Sequence, residues 1–193
     1  MNDQPLTPDA ILDATEAALR RFGPTKTSVT DVARALKVSH GALYRHFDGK
    51  AELIDAVVAR WLERLAGPLA VIAAENGPAP ERLRRWFDVL IASQSAKAKN
   101  DSDLFQAYAG LARANRSIVA AEMERRATHI AKIIDDGAKQ GAFAAIDPGG
   151  AARAILDATV KFHHPLHADE WSRPEASLNF DAVFRLLLRG LAQ

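Results

Sequence analysis

The chain has 193 residues, 48% of them hydrophobic, with a formal net charge of +1 and no cysteine, which excludes disulfides and thiolate metal sites. It carries no basic-then-apolar leader and no apolar run long enough to span a bilayer, so a soluble, unprocessed, cytoplasmic protein without a membrane partner is expected. The near-neutral total hides a local asymmetry. Between residues 20 and 50, Arg20, Arg21, Lys26, Arg34, Lys37, Arg45 and Lys50 are opposed only by Asp31 and Asp48. A basic face of this kind suits a duplex.

Every segment reads as helix, and no strand is predicted. Thr7, Pro8 and Asp9 open the first helix with a cap, a first-turn proline and an acid at the positive end of the dipole. Ile11, Thr15, Leu19 and Phe22 line its inner face, and Gly23-Pro24 stops it. Ser28 then caps a helix with Asp31 three residues on, a capping-box arrangement, and Val29, Val32, Ala33 and Leu36 give it one buried face. Lys37-Val38 forms a turn. Ser39 caps a second short helix whose first residues, His40, Gly41 and Ala42, are small or polar, as a helix end that reads a major groove requires. Tyr44, Arg45, His46 and Lys50 supply donors suited to phosphate oxygens.

Asp48 is expected to cap a fourth helix from near Lys50, with Leu53, Val57, Trp61 and Leu65 facing inward and a kink or break at Gly67-Pro68. Residues 76–80 are a break. The next helix carries Leu83, Trp86, Phe87, Leu90, Ile91 and Gln94, and the polar run 97–102 reads as a loop. A short helix with Leu104, Phe105, Tyr108 and Leu111 follows. A long one from about 116 to 140 bears the stripe Val119, Met123, Ile130 and Ile134. Asp147-Pro148 starts an alanine-rich helix that Pro165 ends. After a polar loop over 167–174, a last helix carries Phe180, Val183, Phe184, Leu187, Leu188 and Leu191.

The two short helices around a tight turn, followed by Leu43-Tyr44-Arg45-His46-Phe47 and Lys50, resemble the TetR family of bacterial transcriptional regulators. The resemblance is carried by about fifty N-terminal residues; the rest matches the family in length and helical character. Lys37 stands where the family usually has glycine in the turn; a left-handed lysine there costs on the order of 1 kcal/mol. The resemblance implies an all-α protein: a three-helix DNA-binding domain over residues 1–50 and a larger helical ligand-binding and dimerisation domain over 51–193. It implies a homodimeric regulator, a repressor released from a palindromic double-stranded operator by a small-molecule effector, with no enzymatic activity and no cofactor. The residues expected at DNA are Thr27, Ser28, Lys37, Ser39, His40, Gly41, Tyr44, His46 and Lys50. Those expected around a small, mostly apolar ligand are Trp86, Phe87, Leu90, Gln94, Phe105, Tyr108, Met123, Arg126, His129, Ile130 and Phe162, with no acidic cluster among them.

Two other readings compete. In one, the C-terminal part recruits a protein partner to the DNA-bound chain and takes no small ligand. His163, His164 and His167, beside Asp169 and Glu170, invite a metal-dependent hydrolase, but Pro165 interrupts the helical face that the four-residue spacing needs, and no site of that kind is expected. The alanine-rich helix and the apolar last helix are the expected dimer surface.

Overall fold

A computed structural model describes residues 6–114 and 116–192, apart from the side chain of Leu65, so the expectation that Leu65 faces inward lies outside the described residues. Thr7 accepts from the Ala10 amide and starts α1 (Pro8–Lys26), with Pro8 in its first turn. Gly23, at φ 74° and ψ 166°, interrupts α1 where the Gly-Pro pair predicted a stop, and one further turn follows. Ile11, Thr15 and Leu19 are buried as expected; Phe22 is exposed, with the Arg21 guanidinium 5.1 Å from its ring centre.

Ser28 and Asp31 form the capping box that opens α2 (Val29–Leu36). Lys37 closes α2 in the left-handed region at φ 56° and ψ 38°. Its amide reaches the carbonyls of Ala33 and Arg34, so the turn forms without glycine. Ser39 accepts from the Ala42 amide and opens α3 (His40–Leu43).

The fourth helix, α4 (Lys50–Ala74), is capped differently from expectation. Gly49 is its N-cap with no side-chain bond, while Glu52 reaches back to the Asp48 amide. Nor does Gly67-Pro68 break it. The segment beyond Pro68 is held by burial of Leu69, Ile72 and Ala73. Its last carbonyls are also held: buried Arg82 donates to Ile72 O and Ala73 O and pairs with Asp136 at 3.0 Å. These ties offset the bond that proline removes.

Then come α5 (Ala79–Asn100), α6 (Ser102–Arg113), α7 (Ser117–Lys139), α8 (Pro148–His163), a 3-10 turn (Pro165–Glu170) and α9 (Ala176–Leu191). The predicted loop at 97–102 shrinks to Asp101 alone, because Lys97 is drawn into the helix by its bond to Trp61 O. Part of the predicted loop at 167–174 is the 3-10 turn. Among the described residues all regular structure is helical.

The described residues gather into three apolar cores. The first gathers Ile11, Val29, Val32, Leu43 and Leu53. The second joins Leu19, Val57, Trp61, Leu62, Leu104, Phe105 and Tyr108. The third holds Leu69, Leu83, Trp86, Phe87, Leu90, Ile130, Ile134, Phe162, Phe180 and Phe184. α4 contributes to all three.

Lys37→Gly should raise stability by ~0.5–1 kcal/mol, since glycine relieves the left-handed backbone and gives back part of that gain as unfolded-state entropy. A urea midpoint moved upward at unchanged m-value is the expected reading, and a lower midpoint would contradict the strain.

Candidate nucleic-acid interface and inner polar cluster

The capping box, the Ser39 cap and the first core leave one edge of the N-terminal helices in solvent. Lys37, Ser39, His40, Gly41, Tyr44 and His46 are all exposed there. Leu43 and Phe47 take the inward positions, so Tyr44 faces out at 49% exposure. The His40 and Tyr44 rings meet edge-on at 5.3 Å, and His40 Nε2 lies 3.1 Å from the Thr30 hydroxyl. These three side chains form one surface unit. Thr30 went unnoticed in the sequence because its role depends on α2 crossing α3.

A Cβ built on Gly41 would meet nothing within 4 Å. Glycine at that helical position is therefore not required by this chain's own packing, and it costs ~0.5–1 kcal/mol relative to alanine. The position is open to the outside. Lys50 donates to Thr25 O at 3.0 Å, at the uncapped start of α4 where free amides and the dipole favour an anion. Thr27 is a correction. It is buried at 3%, and its hydroxyl donates to Gly23 O and Ala18 O, so it has no free donor for phosphate. Ser28 is half-buried with its hydroxyl engaged by Asp31.

An ionic junction ties this edge to the rest. Asp101, the single residue between α5 and α6, accepts from Arg20 Nε and Nη2 on α1 and from Trp61 Nε1 on α4. One layer away, Glu16 accepts from Arg60 and Arg64 of α4 and pairs with Arg20. Burial pushes the Glu16 carboxyl up, but hydrogen bonds from Arg64, Arg60 and Arg20 outweigh it and hold it below its usual range. Burial likewise opposes, and Arg20 and Trp61 override, at Asp101. Glu16 and Asp101 carried no sequence signal, since their partners lie on other helices.

The expected ligand wall divides. Trp86, Phe87, Leu90, Gln94, Tyr108, Arg126 and Ile130 are fully buried in the interior, with half-buried His129 against Trp86 at 6.3 Å. Three others look elsewhere. Phe105 lines a surface cleft of about 520 Å³ with Pro165 and Trp171. Phe162 lines another of about 250 Å³ with Phe180. Met123 is half-buried beside an outer cleft with Leu156 and His164. Met123 is displaced because the stripe that α7 buries runs through Glu122, Arg126 and Ile130, whereas Phe105 and Phe162 stay packed in the second and third cores and reach the clefts only at their edges.

The interior is also less apolar than expected. Glu122 is 2% exposed and accepts from Arg126 Nε at 2.9 Å. Neither terminal nitrogen of Arg126 has a hydrogen-bond partner, and neither atom of the Gln94 amide has one; Trp86 Nε1 is also unpaired. Burial pushes the Tyr108 hydroxyl up, against the pull of the Arg126 charge.

The three C-terminal histidines diverge. His163 is buried with Nε2 3.2 Å from the Thr159 hydroxyl, His164 accepts from the Leu166 amide, and His167 lies 3.2 Å from Glu170. Among the described residues no three His, Asp or Glu side chains converge as a metal site would require.

Comparison with known proteins agrees with this geometry. Residues 11–57 match the family described as bacterial regulatory proteins, tetR family, and residues 79–184 match the tetracyclin repressor-like C-terminal domain. The chain is 26% identical over 192 residues to the HTH-type transcriptional repressor KstR2 of Rhodococcus jostii, covering 94% of this chain and 89% of that one. A putative transcriptional regulator of Pseudomonas aeruginosa has the same fold at a TM-score of 0.70 and 19% identity, over 96% of this chain and 93% of that one. SmeT, the repressor of the Stenotrophomonas maltophilia efflux pump SmeDEF, superposes at 0.68 and 18% identity, over 97% and 91%.

Burial, and after it the Arg126 charge, push the His163 imidazole from 6.5 down to about 3. The unfolded chain therefore binds a proton in this interval that the folded chain does not, and stability should fall as pH drops from about 6.5 toward 3. His163→Leu should remove about one proton from the linkage measured by denaturation across this range. An unchanged slope would place the pH dependence elsewhere.

Proposed function

The chain belongs to the TetR family of bacterial regulatory proteins, and from that membership we propose that it is a repressor released from its operator by a small molecule bound among α5, α6, α7 and α8. The family is one of transcriptional regulators. The observation that carries the reading is the pairing of an outward His40–Tyr44 edge with an inner set of unpaired polar groups, joined through Trp61 and Asp101. Related folds bind such molecules: SmeT is also known as a complex with triclosan.

Residues 1–50 act as the reading head and 51–193 as the effector and dimer part, with α4 shared between them. His40, Gly41 and Tyr44 approach bases or the adjoining backbone. Lys37, Ser39, His46 and Lys50 contribute to backbone binding, whereas Ser28 has both of its donors engaged by Asp31. The second copy docks on α8 and α9, where Ala154, Ala158, Leu178, Ala182 and Leu186 are exposed. A two-fold axis then calls for a palindromic operator with half-sites about one helical turn apart or a multiple of it. No described helix is long and apolar enough to cross a membrane, and action at the chromosome places the protein in the cytoplasm.

Release is a population shift. A ligand against Tyr108 moves the ring that packs on Trp61 at 6.0 Å, and α6 carries Asp101 and hence Arg20 with it. By reciprocity, ligand weakens DNA binding by the factor that DNA weakens ligand binding, typically ~1–3 kcal/mol.

DNA fragments selected by the purified chain supply the operator for gel shift. Lys50→Ala should weaken binding to all sequences and lower the salt slope by ~1. Tyr44→Ala and Gly41→Ala should weaken operator binding while the melting temperature is kept. Unchanged operator affinity in all three would remove this interface. Leu186→Glu should convert a dimer to monomer in sedimentation and lose operator binding; a wild-type monomer at micromolar concentration would contradict the α8–α9 interface.

A further inference from the structure

The direction of α7 against α5 decides what the inner polar groups share. Ala79 is bonded to Gln140, Arg82 pairs with Asp136, and Trp86 meets His129. As α5 advances α7 recedes, so the helices are antiparallel and the register continues to Leu90 opposite Arg126 and Gln94 opposite Glu122. Gln94 and Glu122 therefore lie at one level of the bundle, with Arg126 one turn along α7 and tied to that level by its bond to Glu122. Tyr108 joins them from α6, where the charges of Arg126 and Glu122 act on its hydroxyl, and His163 joins from α8, where Arg126 acts on its ring.

At that level Arg126 Nη1 and Nη2 and Gln94 Nε2 are unmet donors, against Gln94 Oε1 and Glu122 Oε2 as unmet acceptors, and the formal charge among the donors sits on Arg126. Arg126 is 1% exposed, Glu122 engages its Nε, and the terminal nitrogens of the charged fork make no well-formed hydrogen bond, with the Tyr108 hydroxyl beside them as a weakly placed acceptor. Gln94 is fully buried with its amide unpaired. A buried unpaired donor is costly, and a charged one more so, so this arrangement is suited to an acceptor that arrives with a ligand. The planar group that takes two parallel N–H bonds from a guanidinium is a carboxylate. The surroundings agree. Phe87, Leu90 and Ile130 are buried apolar neighbours on the same helices, a wall for the hydrocarbon part of an acid.

We infer that the effector is an apolar monocarboxylic acid, its carboxylate received by the terminal nitrogens of Arg126 with Gln94 donating beside it. This rests on the effector reading above and names the chemistry of the site. Glu122 is the positioning residue: by holding Nε it turns the fork toward α5 and α6. Acid binding needs no covalent step.

The test uses calorimetric titration of the full chain with decanoate, phenylacetate and cinnamate, each against its primary amide, and gel shift with the selected operator in parallel. At least one acid should bind, about tenfold or more tighter than its amide. Arg126→Met alone leaves Glu122 buried and unpaired and threatens the fold, so the informative variant is Glu122→Met with Arg126→Met, which replaces both charges by apolar groups of similar length. It should keep the melting temperature and bring the acid-to-amide ratio to about one. Gln94→Leu should weaken the acid more than the amide. Amides as tight as acids, a preference that survives the double variant, or no acid bound would overturn the assignment. The gel shift separates the two readings. Acids that bind through Arg126 without changing operator affinity leave the site standing and refute its effector role. Neutral compounds that release the operator without Arg126 preserve the effector role and refute the carboxylate.

Discussion

One helix belongs to three hydrophobic cores. α4 is 25 residues long, about 37 Å, and it places Leu53 in the first core, Val57 and Trp61 in the second, and Leu69 and Ile72 in the third. Each core would expose apolar surface if α4 left it, at roughly 1.5–3 kcal/mol for each large side chain. Packed interiors resist continuous deformation, so in the proposed release α4 is the rod that would carry a change in the third core to the first. Pro68 lies between the second and third groups of anchors and removes one backbone bond there. Arg82 and Asp136 hold the end beyond it, which makes the proline a soft point within a helix fixed at both ends.

Beside that rod the Asp101 junction adds direction. Apolar contacts alone let α1 slide on α6, but the two-pronged bond from Arg20 to Asp101, with Trp61 donating to the same carboxylate, fixes one register among three helices. Exposed ion pairs contribute little, with a median of ~0–1 kcal/mol. Glu16 is different, being 5% exposed and shared by arginines on two helices. Removing either acid would leave guanidinium groups competing for solvent at the seam between the reading helices and the rest. The seam is thus specified by geometry as much as by area, as a part that must move as a unit requires.

The inner polar level opposes the logic of a core. A domain with Trp86, Phe87, Ile130 and Phe184 in contact has apolar surface enough without Gln94, Glu122 and Arg126. A buried ion pair is often no more stabilising than hydrophobic residues of the same volume. Departures from local consistency of this kind concentrate at functional sites. The outer clefts lined by Phe105 or Phe162 have no comparable set of unpaired groups, which is why the inner level and not the larger cleft is the better candidate for a ligand.

The sequence by itself determined the helical class, the caps at Thr7, Ser28 and Ser39 and the buried face of α2, while the left-handed turn at Lys37 and the outward Tyr44 leaned on the family resemblance. Those features are local: a cap is satisfied within three residues, and which face of a short helix is buried follows from its own spacing. Local rules failed where a distant partner intervened. Lys97 extended α5 because Trp61 O lies across the interface, and Thr27 was lost to the DNA face because Ala18 and Gly23 take its hydroxyl. Only the tertiary structure decided that Glu122 is buried, that Met123 is not in the interior, and that the Gln94 amide is buried without a partner. A charged residue on a long amphipathic helix reads as solvated until the neighbouring helix is placed, since the helical period fixes the angle between side chains and not which neighbour will cover them.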